Sequence, residues 1–397
     1  MSDELLEVIE LTEYEPKRLP RLAIPDSIGD LLWRQYGSKI DIAFPSPKTN
    51  AQWVLISQGW VGHLPLTNSF RLVLNSKVEL GNLFRMLEYA YHLNSFQFLE
   101  GLVECDSLKE FYERLANILA RRVLDRARKG LYRAYVTEAA KLLYLRGRLD
   151  LAQTLRSPWE TKLACRYEEH TADIEDNQIL AWTLRCITRS HLCTERVSST
   201  LRRAYRGLQG FVALRPVSAH DCMGRVYNRL NEDYEPLHAL CRFFLEHSGP
   251  RHETGVDSTL PFLVNMARLY ELFVAEWLNV HLPSHVALKA QERVSIGDHD
   301  GLHFNIDLVL YDLKLDHALC VLDTKYKTTR TPSADDVAQV VAYAEAKGCH
   351  EALLVYPTSE IEPLDERVGN IRVRSVSFSL DGDLEMAGNE FLRGVLR

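Results

Sequence analysis

The stretch ALCVLDTKYK, residues 318–327, decides how the C-terminal part of this chain is read. Its aliphatic run has the character of a buried strand, yet an aspartate and a lysine interrupt it two positions apart. Side chains alternate across a strand, so Asp323 and Lys325 share a face with Leu319 and Val321. A buried charge is costly unless it is paired or holds a metal. One face of a core strand therefore ends in a carboxylate and an amine that need either each other or a ligand.

Upstream, FNIDLVLYD (304–312) carries Asp307 as the charge inside an apolar run, sixteen residues before Asp323 (323 − 307). If the two strands are arms of a hairpin turning around DLKLDH (312–317), both aspartates reach the same end of the sheet. Two close carboxylates repel one another unless a divalent cation lies between them, and hard oxygen ligands suit Mg2+ or Mn2+. Asp307, Asp323 and the Thr324 carbonyl would form the metal cage, with Lys325 beside the metal and its water. Phosphodiester hydrolysis needs such a set: a cation against the charge growing on phosphate, a water of lowered pKa and a nearby positive group. A buried Asp–Lys ion pair, with Asp307 at a strand end, accounts for the same spacing, because short D…DxK matches recur by chance.

The neighbouring segments extend the pattern. SADDVAQVVAYAEAKG (333–348) reads as a helix with Ser333 at its N-cap and Gly348 at its stop, and places Gln339 and Tyr343 on one face. Glu271 lies in RLYELFVAEWL (268–278), where an additional metal-directed acid is wanted. Singly, Tyr343 fits a core position and Glu271 a solvated helix charge. In order, the residues form E…D…DxK…QxxxY.

The remainder of the 397 residues predicts two or three domains. Residues 1–100 form a β-rich module, with WVLISQGWVGHLPL (53–66) and FRLVLNSKVEL (70–80) as strands. Helical spacing begins at GNLFRMLEYAYHL (81–93), with Leu83, Leu87, Ala90 and Tyr91 on one side, and helices dominate residues 101–250. Within them RRVLDRARKGLYRAYVTEAAKLLYLRGRLD (121–150) is the most basic stretch. Its Arg146 and Arg148 mark either a solvated face or a strip for DNA or a partner. Residues 251–397 form an α/β module: a helix that begins with Pro261 in its first turn and stops at Pro283, three strands, a helix and two more strands.

A composition of 46% hydrophobic and 25% charged residues, with an acidic N-terminus and no long apolar run, predicts a soluble, cytoplasmic protein without membrane contact. The net charge of −7 excludes general attraction to nucleic acid, so any DNA contact must use a local basic surface or a partner. The eight cysteines show no CxxC pair and read as reduced core thiols; Cys186, His191 and Cys193 lack the second half of a zinc knuckle. His220, Asp221 and Cys222 are adjacent in sequence, and triads assemble in space.

With these motifs the chain resembles the PD-(D/E)xK nuclease superfamily and, more narrowly, the McrC family of nuclease subunits from modification-dependent restriction systems. GNLFRMLEYAYHL, GLYRAYVTEAAKLLYLRGRLDL (130–151), YEEHTADIEDNQIL (167–180) and MARLYELFVAEWL (266–278) follow in that family's order, from about residue 60 onward. The LRGRLD block (145–150) is the most specific of them outside the catalytic core. The resemblance implies a multidomain α/β protein ending in a restriction-endonuclease-like domain. It implies Asp307 and Asp323 as metal ligands, Lys325 as catalytic lysine, Glu271 as helical acid, and Gln339 and Tyr343 as supporting residues. Ile306 stands where the superfamily pattern has proline.

The implied activity is Mg2+-dependent cleavage of duplex DNA carrying modified cytosine. The implied partner is a separate McrB-like AAA+ GTPase hexamer, docked through the N-terminal and helical regions. The chain holds no GxxxxGK[ST] loop, so it is expected to bind no nucleotide itself. A non-cleaving activator of the GTPase and an autonomous nuclease are the alternative functions.

Overall fold

The computed structural model describes residues 7–67, 70–93, 105, 107–157, 159–248, 260–295, 303–315, 317–327 and 331–397. The chain opens with β1 (Glu7–Thr12), β2 (Lys17–Pro20), α1 (Asp26–Tyr36), β3 (Ile40–Ala43), β4 (Gln52–Ser57), β5 (Trp60–Pro65), β6 (Phe70–Asn75) and α2 (Leu80–Ala90). It continues through α3 (Leu108–Lys129), β7 (Ala134–Leu142), β8 (Arg148–Leu149), α4 (Leu151–Arg156), β9 (Leu163–Thr171), α5 (Glu175–Ser190), α6 (Glu195–Leu208) and α7 (Tyr234–His247). Then come β10 (Phe262–Asn265), α8 (Met266–His281), β11 (Val286–Ser295), β12 (His303–Asp312), β13 (His317–Thr324), α9 (Ala334–Lys347), β14 (Glu351–Tyr356), β15 (Asp365–Val368), β16 (Ile371–Ser377) and α10 (Leu384–Val395).

These elements form two compact units, one joining Met1–Leu108 to Pro261–Arg397 and the other spanning Lys109–Leu260. The first unit is thus discontinuous along the chain, joining its N-terminal and C-terminal parts.

In the first unit, β1, β6, β5 and β10 make one sheet in that order, and β2, β4 and β3 make a second. Alternation along β4 buries Trp53, Leu55 and Ser57, and the aliphatic and aromatic members join a core with Ile9, Leu11, Tyr36, Leu72 and Leu263. Leu263 corrects the expected helix start at Pro261. Phe262, Leu263 and Val264 pair antiparallel with His63, Gly62 and Val61, and α8 begins only after Asn265, whose side chain accepts from the Arg268 amide. Sheet pairing overrides the proline signal here, because three large apolar side chains gain burial as a strand. Gly62 permits the approach: its φ is +136°, and a Cβ there would lie 2.1 Å from the Phe262 carbonyl oxygen.

The third sheet of this unit has the order β11-β12-β13-β14-β16-β15. β11, β12 and β13 run antiparallel, β14 lies parallel to β13, and α9 connects the two. Ser333 caps α9 by accepting from the Asp336 amide, and Gly348 closes it at φ +66°, as the sequence predicts. Val340, Tyr343 and Ala344 of α9 pack on Ile306, Val309, Val321 and Leu354 of the sheet.

The second unit is helical with a small sheet. Phe111, Tyr112, Leu115, Leu119 and Val123 line the buried side of α3, as their spacing requires. Asn177 of α5 ties the interior together: its Nδ2 donates to the Tyr132 and Ala172 carbonyls at 2.9 and 2.7 Å, and Tyr234 donates to its Oδ1 at 2.7 Å. The basic stretch departs from a continuous helical face, because α3 ends at Lys129 and AYVTEAAKL becomes β7, paired with β9 along its length. Alternating Tyr135, Thr137 and Ala139 against the arm RYEEHT suits a pleated pair better than a helix stripe. The eight cysteines are free thiols, seven buried and Cys193 half-buried. Among the described residues no helix is long and apolar enough to cross a membrane.

Candidate active site at the end of the central strand

β12 and β13 pair with Leu308 opposite Leu322, so one further antiparallel step sets Asp307 against Asp323. The expected hairpin thus brings the two carboxylates together across neighbouring strands. Asp307 is fixed in place: its Oδ2 accepts from the Thr324 amide at 3.0 Å and the Thr324 hydroxyl at 3.1 Å. Asp323 is 1% exposed. Burial and the neighbouring Asp307 charge push its carboxyl up to about 6, against the opposing pull of Lys325.

Lys325 follows the last residue of β13, and its amide donates to the Val355 carbonyl at 2.8 Å. Its Nζ lies 2.6 Å from Asp323 Oδ2 and 3.7 Å from Asp336 Oδ1, and donates to Gln339 Oε1 at 2.9 Å. Burial pulls its pKa down, but Asp323, Asp336 and Asp307 outweigh that and hold it above the usual lysine range. Gln339 Nε2 donates to the Tyr343 hydroxyl at 2.6 Å, which turns the Gln339 carbonyl toward Lys325. The predicted α9 pair therefore bears directly on the lysine. Phe304 packs edge-on against Tyr343, with ring centroids 5.2 Å apart.

Glu271 reaches the same region from α8. Burial raises its pKa, and the Asp307 charge raises it further, against Arg268 and Gln291. Arg268 donates to Glu271 Oε1 at 2.6 Å, and Gln291 Nε2 donates to the same oxygen. Arg146 and Arg148 belong to the other unit. There Arg146 stacks on Tyr167 at 3.9 Å and pairs with Glu169 at 3.5 Å, while Arg148 lines a cavity of about 390 Å³ with Asp150 and Arg166.

Among the described residues no three His, Cys, Asp or Glu side chains form a preassembled metal cage. The acids present still suit a hard divalent ion. The Asp307 charge raises the cost of ionising Asp323, and Asp323 Oδ2 makes no hydrogen bond of good geometry despite its close ion pair. Mg2+ is commonly held by one or two carboxylates with water completing its shell.

With this geometry established, comparison identifies the lineage. The family model described as McrBC 5-methylcytosine restriction system component matches residues 55–357. The chain belongs to the McrBC family. A chain of the refined half-complex from the tetradecameric assembly of Thermococcus gammatolerans McrB AAA+ hexamers with bound McrC shares its fold. The TM-score is 0.53 at 18% identity, over 98% of this chain and 99% of that one. A chain of the cryo-EM structure of the T. gammatolerans McrBC complex aligns at TM-score 0.42 and 18% identity, over 70% of this chain and 88% of that one. No curated protein sequence matches the chain.

Three further residues of this McrBC-family site escape sequence reasoning. Asp336 is buried on the first turn of α9, and its two oxygens accept from Lys327 Nζ at 2.8 and 2.9 Å. Gln291, in the register position opposite Asp307 on β11, adopts φ +52° and hydrogen-bonds to Glu271. Such a backbone in a non-glycine residue was the available signal, and it exists only in three dimensions. Glu13, fully buried past the end of β1, accepts from the Tyr326 hydroxyl at 3.2 Å and the Lys77 amide at 3.0 Å, tying the N-terminal sheets to the residue after Lys325.

Proposed function

We propose that this McrBC-family chain is a cytoplasmic endodeoxyribonuclease subunit of PD-(D/E)xK type, dependent on Mg2+ or Mn2+. Its substrate is duplex DNA carrying modified cytosine, and it docks on and stimulates a separate McrB-like AAA+ GTPase. The observation that carries this reading is the cross-strand placement of Asp307 and Asp323 beside Lys325.

Asp307 and Asp323, with the Thr324 carbonyl, would hold the cation. When bound, that ion supplies charge neutralisation at phosphate and a water of lowered pKa. Thr324 fixes the rotation of the Asp307 carboxylate through two hydrogen bonds. Lys325 keeps its proton and offers a fixed positive charge to the phosphate, oriented by Asp323 and by the Gln339 carbonyl. Tyr343 sets the direction of the Gln339 amide. Glu271 adds a third acid, its pKa raised by burial and by the Asp307 charge. The T. gammatolerans assembly of McrB AAA+ hexamers with bound McrC supports the docking role, which we assign to residues 1–250. The chain takes nucleotide hydrolysis from that partner.

The deciding experiment is cleavage of 5-methylcytosine-containing plasmid with Mg2+ by wild type and Asp323→Ala, with and without the GTPase and GTP. Cutting by wild type alone, in the presence of the motor, is the expected result. GTP hydrolysis stimulated without cutting in any lane would make the chain a non-cleaving activator.

A further inference from the structure

Residues 185–209 contain six arginines and one carboxylate, in a chain whose net charge is −7. Arg185 and Arg189 lie one turn apart on α5, and Arg202 and Arg206 one turn apart on α6. Together with Tyr205 they line a cavity of about 510 Å³. Like charges at this spacing repel, so the arrangement disfavours the isolated helices. Favourable interaction with helix C-termini accounts for Arg189 and Arg206, in the last turns, but not for Arg185 or Arg202. Glu195 pairs with Arg202. Val197, Leu201, Ala204 and Leu208 bury the opposite side of α6, which holds the arginine stripe on a fixed scaffold.

Several side chains of the basic stretch at 121–150 are also paired. Arg126 pairs with Asp233, Arg128 with Asp125, Lys141 with Glu160 and Arg146 with Glu169, so much of its charge is balanced within the unit.

We propose that the α5–α6 groove binds the phosphate backbone of duplex DNA. Guanidinium groups match phosphate oxygens with paired, directional donors, and a row of four on two helices suits a polyanion better than a single small anion. The choice of DNA rests on the nuclease reading above; the groove's anion preference does not. These contacts are independent of sequence and hold the duplex through its charge.

The test uses the full chain in EDTA, where metal-dependent cutting is suppressed, with a fluorescein-labelled duplex followed by anisotropy across a NaCl series. Wild type, Arg185→Gln/Arg206→Gln and Arg185→Lys/Arg206→Lys are compared, with thermal melts confirming folding. The Gln pair is expected to bind about tenfold more weakly and to lower the slope of log K against log salt by about 2, the loss of two phosphate contacts. The Lys pair should keep most of that slope. Unchanged affinity and slope in the Gln pair, or a wild type that binds no duplex, overturns the proposal. So does intact DNA binding with lost association to the AAA+ partner, which would make the groove a protein-docking face. Absence of cleavage by wild type in a parallel assay with Mg2+, the AAA+ partner and GTP would sink the nuclease reading while leaving a salt-dependent groove in place.

Discussion

Lys325 Nζ and Asp323 Oδ2 stand 2.6 Å apart at the end of β13, with the aspartate almost wholly buried and the lysine largely so. An ion pair so enclosed is costly to break from one side and adds little as an isolated stabilising device. Its value lies in what surrounds it: Asp307 in the register position opposite Asp323, and Gln339 turned toward the ammonium.

Removal of either partner should separate chemistry from stability. Lys325→Ala leaves Asp323 buried without its cation and is expected to destabilise the fold by about 3 kcal/mol. Asp323→Asn keeps the volume and removes the charge, so its cost should be smaller. Both should lose cleavage altogether. Urea unfolding of the two variants checks the order; a Lys325→Ala protein as stable as wild type would contradict the burial argument.

Divalent-ion binding should register as stability, because a ligand that binds only the folded state raises the melting temperature by mass action. Mg2+ or Mn2+ in excess is expected to raise the wild-type melting temperature, and EDTA to reverse it. Asp307→Ala and Asp323→Ala should show no such shift. An equal shift in all three proteins would place the ion elsewhere.

His238, in the second unit, gives the expected pH dependence. Its Nδ1 lies 2.9 Å from the Tyr227 hydroxyl and its Nε2 3.0 Å from the Asp176 carbonyl, so the neutral ring accepts at one nitrogen and donates at the other. Burial lowers its pKa to about 4, Arg225 adds to this, and Asp176 opposes it. Because the folded value lies below the unfolded value of about 6.5, the neutral ring's stability is fully present above that pH. It is lost as the pH falls toward 4, by roughly 3 kcal/mol over the full range. His238→Gln should flatten this part of the stability–pH curve measured by denaturant unfolding. An unchanged slope would assign the acid sensitivity to other groups.

Much of the candidate site follows from local periodicity. Alternation along residues 318–327 and 304–312 puts Asp323 and Asp307 on strands, and the four-residue interval between Gln339 and Tyr343 puts both on one side of α9. The caps at Ser333 and Gly348 are equally local, since each depends on one residue's own backbone and side chain. The capture of Phe262–Asn265 as a strand is different in kind. It depends on His63, Gly62 and Val61, about two hundred residues earlier, and a proline signal cannot report that. The conversion of AYVTEAAKL to β7 likewise depends on β9 as a partner.

By itself, then, the amino-acid sequence determined that Asp307 and Asp323 lie on strands and that Gln339 and Tyr343 share a helix face, because helix and strand periods are written in neighbouring side chains, but it missed β10, β15 and α10. Tertiary structure alone decided that N-terminal and C-terminal segments share one unit, that Asp336, Gln291 and Glu13 surround the lysine strand, and that the arginines of α5 and α6 face one groove. The physical reason is that burial, charge repulsion and cross-strand hydrogen bonding act between groups close in space, however far apart they lie along the chain.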